Sequence, residues 1–271
     1  MKKRVITAAI LLPLLLVVVL VLPKIFTAIL FGLMAAVAAY ELLGSTGYVR
    51  HTRLVIYTMI MAFLVGLWSG TGTEYTWALL GVLIFTALLF GEMMASHVKM
   101  QFEKMTVCLT AGLLVPFLLT SLVRIHTDPN GRFYIMIPFI MAFLPDTGAY
   151  FAGRAFGRHK LAPVISPKKT VEGAIGGAVT CMLGMVIYGL IMQAFFQFKV
   201  NYLLALVYGV VGSLGAVFGD LCFSVIKRQT GIKDYGNLIP GHGGILDRFD
   251  SMMMVGPLAE ALLLLIPMAV K

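Results

Sequence analysis

Unbroken apolar runs recur along the whole chain, parted by short polar segments. Nine can be drawn, over residues 5–22, 25–43, 54–70, 76–95, 105–123, 133–153, 171–195, 202–226 and 251–270. Each is long enough for a helix to cross about 30 Å of hydrocarbon. Barrel strands would instead alternate apolar and polar residues over about ten positions. The pattern therefore predicts an all-α polytopic membrane protein with nine transmembrane helices. The first run follows Met1-Lys2-Lys3-Arg4 and imitates a secretory leader. At about 18 residues it is too long for the usual leader core, and Pro23 and Lys24 follow it in place of a small-residue cleavage site, so a retained span is expected.

Composition agrees with the pattern. Of 271 residues, 60% are hydrophobic and only 12% charged, with a mean hydropathy of +0.95. A soluble fold of this size would leave too much of that surface in water, which excludes a disordered chain, a disulfide scaffold and an ordinary soluble enzyme. Cys108, Cys181 and Cys222 lie in apolar stretches, fit no zinc spacing and read as small buried hydrophobes. The net charge of +9 would suggest nucleic acid in a soluble protein; here no nucleic acid is expected, and the charge reads as loop bias and anionic partners. With the N-terminus inside, 16 of the 21 Lys and Arg residues fall in inside segments and 5 in outside ones. That split predicts a cytoplasmic N-terminus and an outside C-terminus.

The two halves differ in kind. Residues 1–130, with spans 1–5, are almost purely apolar, with Glu41 and Glu92 near the inner ends of their spans. Residues 131–271, with spans 6–9 and the inner loops 154–170 and 227–250, carry the chemistry and are expected to be the catalytic region. Ionisable groups within spans cost roughly 2.5–3.5 kcal/mol each on insertion scales and default to function. They are Asp146, Glu172, Asp220, Asp250 and Glu260, with Asp247 just before the last span. Counting along the spans puts Asp146, Glu172, Asp220 and Asp250 in the cytoplasmic third. Glu260 falls near mid-bilayer, where a hydrogen bond to a neighbouring helix is the plain reading. Asp146, between Pro145 and Gly148, predicts a broken helix, which survives only inside protein or beside a wet cavity. Clustered carboxylates repel and raise one another's pKa, and a divalent cation relieves this. Oxygen ligands suit Mg²⁺ or Ca²⁺.

The loop before the last span is the most informative stretch. Asp220, Ser224, Lys227 and Arg228 share one helical face, offering a metal ligand, a hydroxyl and two cations in a row. Gly241, Gly243 and Gly244 permit close backbone approach and lead into a helix start, where N–H groups and the helix dipole favour anions. His242 is placed to donate to a phosphate or act as an acid. In the other loop, Lys168 and Lys169 lie between two hydroxyls, Ser166 and Thr170, just ahead of Glu172. Either hydroxyl is a candidate helix cap, and the cationic pair is a candidate anion site. These parts point to a membrane enzyme that handles a phosphate or nucleotide with Mg²⁺, drawing one substrate from the cytosol and one from the lipid.

Residues 224–250 resemble the motif of the phosphatidate cytidylyltransferase (CDP-diacylglycerol synthase) family. The positions that carry the resemblance are Ser224, Lys227, Arg228, Lys233, Asp234, Gly236, His242, Gly243, Gly244, Asp247, Arg248 and Asp250. The segments Pro145–Tyr150 and Ser166–Gly173 are similar to further family features, and the strong similarity covers about 140–252. The resemblance implies transfer of CMP from CTP to phosphatidic acid at the cytoplasmic face of a bacterial inner membrane. It implies Mg²⁺ with room for a second cation, held by Asp220, Asp247, Asp250 and Asp146. Phosphate binding falls to Lys227, Arg228, Lys233 and Arg248, helped by Lys168 and Lys169, with Ser224, Gly243, Gly244 and His242 beside them. A homodimer is compatible with it. The rival class is a secondary transporter, where broken helices and intramembrane carboxylates also occur. Such proteins show repeated halves and midplane sites, and neither is visible here. A non-catalytic scaffold would not need the acids, the Gly-Gly helix start and the clustered cations together.

Overall fold

The computed structural model describes residues 2–49, 51–71, 75–95, 101–239 and 243–271, with the backbone alone for 2–8, 10, 12 and 75. Helices dominate, as the apolar runs predict. Seven among the described residues are long and apolar enough to cross a membrane: Lys24–Ser45, Thr52–Thr71, Thr76–Ala95, Phe102–Thr127, Gly131–Phe156, Val171–Phe196 and Tyr202–Gln229. They occupy the second to eighth of the nine predicted positions. A 19-residue helix, Lys2–Leu20, takes the first.

The chain divides into two compact units, Met1–Thr127 with Gln229–Phe249, and Asp128–Arg228 with Asp250–Lys271. The first unit holds α1 (Lys2–Leu20), α2 (Lys24–Ser45), α3 (Thr52–Thr71), α4 (Tyr75–Ala95), α5 (Phe102–Leu109), α6 (Val115–Leu119) and α7 (Ser121–Thr127). Between α5 and α6 the helix widens to a π-helical turn, Thr110–Leu114. Pro116 comes two residues after it; it lacks an N–H for the carbonyl four residues back and its ring crowds that turn, and the wider winding accommodates it. Helix α2 is the core of this unit. Its buried face is built of small residues, among them Ala28, Gly32, Ala35 and Ala39. They let α3 approach so closely that a Cβ on Gly66 would sit 2.4 Å from the Gly32 Cα.

The second unit holds α8 (Gly131–Tyr134), α9 (Met136–Phe156), a hairpin of β1 (Lys160–Ala162) and β2 (Ser166–Thr170), and α10 (Val171–Phe196). The short strand β3 (Lys199–Val200) and α11 (Tyr202–Gln229) follow. After the four-residue α12 (Leu246–Phe249), which belongs to the first unit, come α13 (Met252–Leu265) and β4 (Ala269–Val270). Strands β3 and β4 pair antiparallel, and the Tyr134 hydroxyl donates to the Ala269 carbonyl at 2.9 Å.

Two expectations are corrected. The last helix has 14 residues rather than the predicted twenty, about 21 Å at about 1.5 Å per residue. Pro267 disfavours helical geometry in the residue before it, and Ile266 has left the helix at φ −143°, ψ 67°. The predicted break at Pro145 is also absent: α9 runs unbroken with a buried Pro145 inside it. What supports the proline is α10, packed along α9 through glycines. A Cβ on Gly177 would lie 2.7 Å from the Pro145 carbonyl oxygen. Gly177→Val therefore forces the two helices apart, at an expected cost of about 1–3 kcal/mol from overpacking. A lowered thermal unfolding midpoint in detergent micelles is the check.

Candidate active site

In the second unit, α11 supplies Asp220 about two turns before its polar end. The preceding residue, Gly219, is what brings a second carboxylate near. A Cβ there would meet the Asp250 carbonyl at 2.8 Å and that of Ser251 at 3.0 Å. Asp250 thereby lies beside Asp220. Each carboxylate has its own lysine. Lys169, at the end of β2, pairs with Asp220 Oδ2. Lys227, two turns along α11, stands 3.9 Å from Asp250 Oδ2. The Ser251 N–H donates to Asp250 Oδ1 at 2.8 Å. Ser224 is buried on the same helix. Arg228, on the next turn, donates from Nε to the Ile165 carbonyl at 3.1 Å, tying the end of α11 to the β1–β2 hairpin.

Beside this pair opens a cleft of about 260 Å³. Its walls include Asp146 and Tyr150 from α9, Lys168 and Lys169 from β2, Gly173 from α10 and Ser213 from α11. Lys169 thus serves both the cleft and Asp220. The hairpin is fixed at its exit by Thr170, whose hydroxyl accepts the Gly173 N–H at 3.1 Å and caps α10. Of the two hydroxyls named from the sequence, Thr170 is the cap. At its entrance the hairpin is held by Glu172, which accepts the Arg158 N–H at 3.1 Å and pairs with His159 Nδ1 at 2.6 Å. The His159 pairing is missed by sequence reasoning, because an exposed loop histidine carries no signal of its own.

The first unit holds the remaining motif positions. Asp247 is buried, and its Oδ2 accepts N–H groups from Tyr235 at 2.8 Å and Gly244 at 3.1 Å. Gly243 has φ +87°, a backbone region that side chains rarely adopt. Lys233, Asp234 and Arg248 are exposed. His242 lies outside the described residues. The amide hydrogens expected to receive a ligand anion are met by the chain's own acids: Gly244 by Asp247, and Ile245 and Leu246 by Glu41. Glu41 is the second residue that sequence reasoning underrated. The usable signal was a carboxylate inside an otherwise apolar helix. Among the described residues, no group of three or more His, Cys, Asp or Glu side chains is gathered as a metal cage.

A family model described as the cytidylyltransferase family matches residues 2–266, and the chain belongs to that family. Among curated relatives, a phosphatidate cytidylyltransferase of Staphylococcus saprophyticus is 48% identical over 139 residues, 51% of this chain and 52% of the relative. One from Staphylococcus haemolyticus is 49% identical over 138 residues, again 51% and 52%. One from Staphylococcus aureus is 48% identical over 139 residues with the same coverage. The matched stretch thus spans about half the length of each of these relatives.

Thr170→Ala removes the α10 cap next to Lys169. It is expected to destabilise the unit by about 1 kcal/mol, read as a lowered unfolding midpoint, while Thr170→Ser restores it.

Proposed function

We propose that the chain transfers CMP from CTP to phosphatidic acid, giving CDP-diacylglycerol and pyrophosphate. The observation that carries this reading is the Asp220–Asp250 carboxylate pair, each member matched with a lysine, beside a cleft that adds Lys168. Family membership and the names of the relatives support it.

An oxygen of the lipid phosphate attacks the α-phosphorus of CTP. The bond from that phosphorus to the β-phosphate oxygen breaks, and pyrophosphate leaves with the electron pair. The lipid phosphate is already a nucleophile, so no protein nucleophile is required. Positioning and charge stabilisation do the work. Lys168 and Lys169 offer cations on the cleft wall, and Lys227 offers one beside Asp250. Lys233 and Arg248 are exposed and available to the triphosphate, with His242 as a further donor. Arg228 holds the hairpin that presents Lys168 and Lys169.

Two adjacent carboxylates fit Mg²⁺, which binds through one or two carboxylates together with substrate phosphates rather than in an all-protein cage. Asp220 and Asp250 would hold it, with Asp146 and Asp247 as the remaining members of the proposed set. When bound, the ion neutralises charge on the transferring and leaving phosphates. The lysine-rich loops 154–170 and 227–250 are read as cytoplasmic by the positive-inside rule, which lets CTP enter from the cytosol and the lipid from the bilayer.

Purified protein in mixed micelles with CTP and Mg²⁺ is expected to release pyrophosphate only when phosphatidic acid is present. Release without lipid, or none from folded protein, overturns the reading; the second result returns the intramembrane acids to the transport class. Asp220→Asn is expected to lower turnover by about 10²-fold or more, the scale of losing one charge-stabilising group. The unfolding midpoint of this variant checks that the fold persists, and full activity in it rejects the role given to Asp220.

A further inference from the structure

Glu41 lies on α2 in a run of small and apolar residues and is 5% exposed. Its Oε1 accepts the Ile245 N–H at 3.0 Å and its Oε2 the Leu246 N–H at 2.9 Å, across more than two hundred residues of chain. Two glycines close around the same carboxylate. A Cβ on Gly244 would sit 2.4 Å from Oε2, and one on Gly236 would sit 2.5 Å from Oε1. Nearer the start of α2, Phe31 meets the Phe249 ring edge-on at 6.4 Å. One helix therefore anchors the Gly243–Phe249 segment at both of its ends.

The arrangement exceeds what holding a helix requires. Helix α12 has four residues, too few for a cap to repay a buried carboxylate. What Glu41 and Asp247 fix is the direction of three consecutive amides, Gly244 to Leu246, in a turn that already needs a positive φ at Gly243. Asp247 and Arg248 leave one end of this turn. Lys233 and Asp234 precede Tyr235, whose N–H shares the Asp247 carboxylate.

We propose that Glu41 is a positioning residue for the transfer reaction: it locks the Gly243–Leu246 turn so that Arg248, Asp247 and Lys233 are presented to the nucleotide together. This rests on the reading of the site as a CMP transferase. Glu41 touches no substrate; it acts through the backbone of the turn.

The test compares the wild type with Glu41→Gln, Gly244→Ala and the double variant in micelles. Pyrophosphate release is measured against CTP and against phosphatidic acid, per folded protein, and amide hydrogen exchange is followed over residues 236–249. A Gln amide accepts one N–H and turns its own NH₂ toward the other, so exchange protection at Ile245 and Leu246 is expected to fall while α2 and α3 stay protected. The kcat/KM for CTP is expected to fall by about 10–100-fold, the range seen when a supporting residue behind a site is lost. The KM for phosphatidic acid is expected to be unchanged. The double variant should lose no more than the worse single one, because both changes free the same turn. Unchanged exchange in Glu41→Gln overturns the anchor. Lost protection with an unchanged kcat/KM for CTP leaves Glu41 merely structural and overturns the positioning role. A wild type without CTP-dependent release overturns the transferase reading itself. The exchange result then still reports whether Glu41 holds the turn, so the two failures are separable.

Discussion

A carboxylate in a chain this apolar has little bulk water to solvate it, and the protein must supply the neutralising hydrogens or charge itself. Much of the polar architecture follows from that requirement. Glu41 is met by two amides, Asp247 by two, Asp220 by Lys169, Asp250 by Lys227 and the Ser251 amide, and Glu172 by His159 and two amides. Several of these contacts join a helix to a loop or strand distant in sequence, as Glu41, Asp220 and Glu172 do. The acids therefore set where the loops lie, and segments 154–170 and 227–250 carry nine of the 21 Lys and Arg residues.

The helices are arranged so that these meetings are geometrically available. Glycine and alanine let α2 and α3 cross at backbone distance, and likewise α9 and α10, because lipid offers no hydrophobic drive between helices and close packing must serve instead. Gly219 does the same beside Asp220, admitting the backbone of residues 250 and 251. A bulkier residue at that position would separate the carboxylates without touching either of them.

The spans were legible because membrane crossing demands a run of fixed length, and that demand is written directly in hydropathy. Their ends were less so: Pro267 shortened the last helix, while Pro145, which looked like a break, was carried by a neighbour that hydropathy does not reveal. The face bearing Asp220, Ser224, Lys227 and Arg228 could be read from helical periodicity alone. Their partners could not. Lys169, Ile165 and Glu41 are distant in sequence from what they bind, and Lys168 and Lys169 sit in a β-hairpin that a five-residue polar strand does not advertise. Sequence spacing reports what one element presents. It does not report what another element brings to meet it.

The pairing of Lys169 with Asp220 has a consequence for how ligands arrive. In the resting protein these two side chains satisfy each other. A phosphate arriving at the lysine would weaken its hold on the carboxylate, and a cation arriving at the carboxylate would weaken its hold on the lysine. Each newcomer thus frees the partner that the other requires, so an anion and a cation assist one another's entry. By thermodynamic reciprocity the assistance is equal in both directions. On the transferase reading proposed above, this ion pair would couple the entry of the nucleotide to that of its counter-ion.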